Sequence, residues 1–319
     1  MEYNSLGRSG LKISTLGLGS SQYSFFCQND NLHTIRESLM TALNGGINYL
    51  DTSEQYGLGK SELIIGELMR YIPRDQFIIG TKVMYGGTRP SQKGLNHKHI
   101  ADGLHNSLHR LQTDYVDILY CHGFDSDTPI HETVRAMDHL VHEGKIRYWG
   151  TSEWSRSQIE KAHNAARELN AVPPLVEQVK YNIFSRRRVE EEYAPLYPKF
   201  GMGLTTYYAL YAGVLTGKYQ EGIPKGSRIG KFQWLSQEGY LEERNLKTIN
   251  ELKEIAAELD CSLAKLAVAW CLKNEKVNSV IIGATNKDQI EENIRAISIK
   301  EKITESILGQ INRAVRKFS

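Results

Sequence analysis

The sequence predicts an α/β protein of the (β/α)₈ TIM barrel class, a closed ring of eight parallel strands with a helix after each. Three observations carry that prediction. Eight short apolar runs rich in β-forming residues recur along the 319 residues, the segments between them carry helical periodicity, and no G-x-G-x-x-G loop follows the first run. Alternating strands and helices imply a parallel sheet, and a count of eight favours closure over an open, doubly wound sheet.

The runs fall at residues 15–19, 47–50, 77–81, 116–121, 146–150, 175–179, 203–207 and 279–283. Most are about 30 residues apart, the length of one strand-loop-helix-loop unit. After the first, Gly17-Leu18-Gly19 leads into Ser20-Ser21, so a Rossmann phosphate loop is missing. Between the third and fourth, Ile100, Leu104, Leu108 and Leu111 line one helical face. After the fourth, Thr128-Pro129 predicts an N-cap with proline at the first helical position, and Val134, Met137, Leu140 and Val141 continue the stripe. Ser155 with Gln158 forms a capping box before Ile159, Ala162, Ala166 and Leu169. The long interval before the eighth run reads as a loop plus extra helices, with residues 263–272 as a core helix. With no repeats, low-complexity tracts or long linkers, a single domain over residues 1–319 is expected.

Composition narrows the function. Lys and Arg number 39 against 37 acidic residues, a formal charge of +2, which gives none of the basic bias that nucleic-acid binding requires. The start, Met1-Glu2-Tyr3-Asn4-Ser5, lacks the basic and apolar regions of a signal peptide, and Lys265 interrupts the most apolar stretch, so no membrane insertion is expected. The four cysteines, Cys27, Cys121, Cys261 and Cys271, form no C-x-x-C pair, which fits a reducing, cytoplasmic setting. His105 and His109 have a zinc-compatible spacing, but no glutamate follows His105 and no third ligand is evident, so no metal is expected.

Barrel chemistry gathers at the C-terminal ends of the strands. The polar residues there are Asp51 with Tyr56 in the following loop, Lys82, His122, Ser152, Gln178 and Tyr207. Together Asp51, Tyr56, Lys82 and His122 supply a counter-ion, an acid, a cation and a hydrogen-bond donor at one rim.

The series Asp51-x₄-Tyr56, Thr81-Lys82 and Tyr115-Val116-Asp117-Ile118-Leu119-Tyr120-Cys121-His122, in that order and spacing, resembles the aldo-keto reductase superfamily, and the likeness covers essentially the whole chain. More narrowly, the chain resembles the branch containing β-subunits of voltage-gated potassium channels and their bacterial and plant relatives. That rests on Gly86-Gly87, Lys93-Gly94-Leu95, Lys98-His99-Ile100, Tyr148-Trp149-Gly150-Thr151-Ser152 with Trp154-Ser155, Glu177-Gln178, Gly213-Val214-Leu215-Thr216-Gly217-Lys218-Tyr219 and Leu266-Ala267-Val268-Ala269-Trp270-Cys271-Leu272.

The resemblance implies that Asp51, Tyr56, Lys82 and His122 form a catalytic tetrad and that NADP(H) is the cofactor. Ser152 and Gln178 would hold its nicotinamide carboxamide, and Tyr207 would stack on the ring. Ser20, at the end of the first strand, joins the cofactor set. Leu210, Lys218, Ser227 and Arg228 would line the pyrophosphate and 2′-phosphate region, and Gly283, Thr285, Gln289, Glu292 and Asn293 the adenosine end. It further implies an N-terminal hairpin, Tyr3-Asn4 with Lys12-Ile13, closing the barrel floor, a small carbonyl substrate and a homo-tetramer. A channel partner is the alternative expectation.

Departures from the family pattern are local. Tyr207-Tyr208-Ala209-Leu210 stands where channel β-subunits commonly have Trp-Ser-Pro-Leu, which predicts a reshaped loop and a role for Tyr208 mainly in substrate range. Gly19-Ser20-Ser21, followed by Phe25-Phe26-Cys27, predicts an unusual substrate roof. Glu153 replaces an arginine of the animal β-subunits, and His122 stands where those carry asparagine, which favours a competent reductase. The expected chemistry is reduction of an aldehyde or ketone, with Tyr56 giving the proton, the Lys82 cation lowering its pKa, Asp51 holding Lys82, and His122 polarising the carbonyl oxygen.

Overall fold

The computed structural model describes residues 1–23 and 32–317; the expected roof residues Phe25-Phe26-Cys27 lie outside the described residues. A hairpin of β1 (Tyr3–Ser5) and β2 (Lys12–Ser14) precedes eight barrel strands: β3 (Leu16–Gly19), β4 (Tyr49–Asp51), β5 (Ile78–Val83), β6 (Val116–Cys121), β7 (Ile146–Ser152), β8 (Val176–Lys180), β9 (Gly203–Tyr207) and β10 (Ser279–Gly283). They close in the order β10-β3-β4-β5-β6-β7-β8-β9, each neighbouring pair parallel. The (β/α)₈ barrel is therefore as the sequence predicts.

Helices on the outside present the apolar stripes read from the sequence. In the helix His97–Leu111, Ile100, Leu104, Leu108 and Leu111 are buried. In Arg156–Leu169 the Ser155 and Gln158 capping box is formed, and Ile159, Ala162 and Ala166 are buried. The helix Ile130–His142 buries Val134, Met137 and Leu140, but its cap differs from expectation. Pro129 is the N-cap, one residue later than the expected Thr128, and the Thr128 hydroxyl donates to Asp125 at 2.6 Å. No side-chain hydrogen bond caps this end of the helix. The interval between β9 and β10 holds Arg228–Lys231, Glu243–Glu258 and Leu263–Lys273, the last buried along most of its length. Lys287–Lys300 and Glu305–Lys317 follow β10.

The floor is closed by the hairpin, with Leu6 and Ile13 packed into an apolar cluster with the barrel residues Ile78, Ile118, Val176 and Ile281. Above them the barrel is filled by Tyr49 and Tyr120, both fully buried, rather than by branched aliphatic residues alone. Glycines make the room. A Cβ at Gly17 would lie 2.5 Å from the Tyr49 ring, and one at Gly80 2.8 Å from its hydroxyl. This aromatic layer brings hydroxyls up to the rim where β4 ends.

Candidate active site

Strand β4 ends at Asp51, and the chain then turns along the rim, with Thr52 N–H donating to the carbonyl of Gly80 at 2.8 Å and Glu54 N–H to that of Lys82 at 3.2 Å. This turn carries Thr52, Ser53 and Tyr56 over the end of β5, from which Lys82 points inward. The Lys82 ammonium is fully buried and donates to Asp51 Oδ1 at 2.7 Å, to the Thr52 carbonyl at 2.8 Å and to the Tyr56 hydroxyl at 3.1 Å. An ammonium has three donors, and these contacts use all of them.

Asp51 is held from beneath as well. Its Oδ2 accepts from Gln178 Nε2 at 2.8 Å and from the Tyr49 hydroxyl at 3.3 Å. Tyr49 and Tyr120 hydroxyls lie 3.0 Å apart, and Tyr120 reaches Thr205 Oγ1 at 3.4 Å. A hydrogen-bonded column thus runs from β9 across the barrel interior to Asp51. Sequence reasoning missed it, because Tyr and Thr at these positions read as ordinary strand formers.

His122 follows β6, its backbone N–H bonded to the Val83 carbonyl at 3.0 Å. The ring meets that of Tyr56 edge-on, centroids 5.8 Å apart, and lies at the same distance from Tyr85. Its Nδ1 is 3.0 Å from Ser53 Oγ. The four residues expected at one rim are therefore brought together.

Electrostatics differ from the expectation in one respect. Burial raises the Tyr56 pKa above the usual 10, and although Lys82 acts in the lowering direction, it does not reverse the shift. Burial acts to lower the Lys82 pKa, but the Asp51 carboxylate and Tyr56 outweigh it, so Lys82 ends above its usual 10.5 and stays charged. Desolvation, reinforced by Lys82, holds His122 well below 6.5 and hence neutral at physiological pH.

The family model of the aldo/keto reductases matches residues 15–316. The chain belongs to the aldo/keto reductase family. Two plant relatives, from Oryza sativa subsp. japonica and Arabidopsis thaliana, each called a probable voltage-gated potassium channel subunit beta, are 43% identical over 321 residues, covering 99% of this chain and 97% of each relative. Membership of the aldo/keto reductase family makes this an oxidoreductase-type protein, and the family generally uses NAD(P)H. No helix among the described residues is long and apolar enough to cross a membrane.

Several residues fit such a cofactor. Lys218 and Arg228 lie close enough that Arg228 helps to depress the Lys218 pKa, after desolvation, and neither forms an ion pair with a carboxylate among the described residues. Two cations without a counter-ion suit a phosphate group. The buried Arg228 Nε and Ser20 Oγ lack hydrogen-bond partners among the described residues, as does Gln22 Oε1, whose amide presses on Gly283. Gln22 escaped the sequence reading because nothing in its spacing marks it.

Other cofactor candidates are already engaged. Gln178 is bonded to Asp51, while Ser152 stands beside it in the β7–β8 register. Tyr207 is held by its tip, its hydroxyl donating to Glu153 Oε1 at 2.9 Å; Glu153 in turn pairs with Arg188 and accepts from the Lys180 N–H. Glu153 has a left-handed backbone, φ 58°, a strain of the kind that accumulates at functional sites. Leu210 lies in a turn in which Tyr208, Tyr211 and Ala212 have positive φ. Arg228 lies 5.0 Å over the Tyr208 ring, which places Tyr208 beside one of the residues expected to meet the cofactor phosphates. Ser227 caps the short helix Arg228–Lys231. Gln289 accepts from the Thr285 N–H at 2.9 Å, and Asn293 is buried one helical turn on, whereas Glu292 accepts from Ser262 at 2.6 Å and is tied to a different helix.

Proposed function

We propose that this protein reduces aldehydes or ketones to alcohols with NADPH, and that Tyr56 is the general acid. One observation carries the reading. Lys82 donates to the Tyr56 hydroxyl oxygen, so the tyrosine's own hydrogen is left for another acceptor, and the raised pKa of Tyr56 keeps that hydrogen in place at neutral pH. A carbonyl oxygen gaining negative charge is such an acceptor. Neutral His122 supplies a second donor beside the tyrosine ring. The bound cofactor would supply the hydride. Asp51, fixed by Gln178 and Tyr49, keeps Lys82 charged and aimed.

Steady-state NADPH consumption across a panel of aldehydes, ketones and glyceraldehyde-like compounds tests the proposal. A protein that binds NADPH but consumes it with none of them sinks it. The names of the plant relatives favour a second reading in that event, a cofactor-binding module that docks on a potassium channel with little turnover. Co-purification with a channel separates the two.

Preference for NADPH over NADH rests on Lys218, Ser227, Arg228 and Gln289. Arg228→Ala should weaken NADPH by about 1–3 kcal/mol, as for loss of a charged hydrogen bond, and spare NADH, measured by fluorescence titration. Tyr208→Ala should shift NADPH in the same direction by less, since it removes the ring against which the guanidinium lies. Equal affinity of the native protein for the two cofactors would contradict both.

The titration behaviour gives a further expectation. The donor function of Tyr56 is lost as pH rises through its raised pKa, and His122 is protonated only well below pH 6.5. The profile of kcat/KM for carbonyl reduction should therefore be flat through neutrality and fall only in the alkaline range above about pH 10. An inflection near pH 6.5 that His122→Asn abolishes would show that the histidine acts as a cation.

A further inference from the structure

We propose that Ser53 is a positioning residue that fixes His122 in the tautomer carrying its proton on Nε2. The side chain of Ser53 is completely buried, so water cannot satisfy it. Its oxygen has two partners among the described residues: it accepts from the Gln55 N–H at 3.1 Å, and it lies 3.0 Å from His122 Nδ1. A hydroxyl has one hydrogen to give, and with the Gln55 N–H already a donor, the acceptor left for that hydrogen is Nδ1. Nδ1 must then be bare and Nε2 must carry the proton. If instead Nδ1–H donated to Ser53, the buried hydroxyl hydrogen would have no acceptor, an arrangement folded proteins avoid.

The consequence follows from ring geometry. With Nδ1 turned to Ser53, Nε2 is on the opposite side of the imidazole, which packs against the edges of Tyr56 and Tyr85 and has its backbone tied to Val83. Ser53 thereby turns a neutral histidine into a donor aimed away from Ser53 itself. The same turn places Ser53 two residues after Asp51 and three before Tyr56, so one loop sets the counter-ion, the acid and the tautomer of the second donor. The effect on turnover rests on the reductase reading; the tautomer itself does not.

The test is nitrogen-15 NMR of the histidine-labelled native protein, with the His122 signals assigned by their loss in His122→Asn. The expected spectrum shows His122 protonated on Nε2 and bare on Nδ1; protonation on Nδ1 would overturn the proposal without recourse to any Ser53 variant. Ser53→Ala should convert His122 to a tautomer mixture and lower kcat by roughly 10–100-fold, the scale seen when an orienting partner of a functional histidine is lost, with the NADPH dissociation constant unchanged. Ser53→Thr, which keeps the hydroxyl, should restore the native tautomer. A Ser53→Ala protein that keeps pure Nε2 protonation and full turnover also overturns the proposal. A native protein that reduces no carbonyl overturns the reductase reading alone, and the spectrum still decides the tautomer.

Discussion

Replacing Tyr56 by phenylalanine should lower carbonyl reduction by about 10²–10⁴-fold, the usual contribution of a positioned acid, while leaving the fold and NADPH affinity nearly intact. The substitution removes one oxygen and keeps the ring that meets His122 edge-on. Lys82 loses one of three acceptors but retains Asp51 and the Thr52 carbonyl, so its charge stays compensated. The loss should therefore fall on kcat, with the thermal midpoint and the NADPH dissociation constant measured alongside. Full activity of Tyr56→Phe on every carbonyl that the native protein reduces would remove Tyr56 from the mechanism.

Lys82→Met should damage turnover on a similar scale for a different reason, and should also destabilise the protein. It removes the donor that orients the Tyr56 hydroxyl and strips Asp51, which is 3% exposed, of its counter-charge. Asp51 would be left with Gln178 and Tyr49 as partners. Breaking a buried pair from one side costs about 3–5 kcal/mol, whereas removing both charges costs much less. Asp51→Asn combined with Lys82→Met should therefore recover most of the lost stability in denaturant unfolding without recovering turnover. If Lys82→Met alone unfolds no more readily than the native protein, the pair does not carry the weight assigned to it.

The fold was legible because its signals are local. Apolar runs of β-formers and stripes such as Ile100, Leu104, Leu108 and Leu111 can be read within one segment, and the structure follows them closely. The cap before Ile130 differs from the sequence pattern: the helix begins one residue later, with Pro129 as N-cap, and the Thr128 hydroxyl points to Asp125 in the loop. At the rim, Asp51, Tyr56, Lys82 and His122 were found from their position after strands and from family likeness. What supports them was not. The Thr205, Tyr120 and Tyr49 column joins strands far apart in sequence, and no spacing records that they meet. Ser53 looked like a turn residue, and only its distance to His122 gives it another meaning. The direction of the Tyr56 shift depends on how deeply the hydroxyl is buried, a property of the folded chain that the neighbouring Lys82 could not reveal.

A single-turnover experiment on the native protein tests the central claim most directly, because it separates cofactor binding from chemistry. Protein loaded with one equivalent of NADPH is mixed with excess aldehyde, and the decay of reduced-nicotinamide absorbance is followed while the product is identified. The account predicts an exponential decay with one equivalent of alcohol formed, at a rate that Tyr56→Phe lowers by about 10²–10⁴-fold at equal NADPH occupancy. Stoichiometric NADPH that persists unchanged in the native protein with every aldehyde and ketone of a broad panel would contradict it.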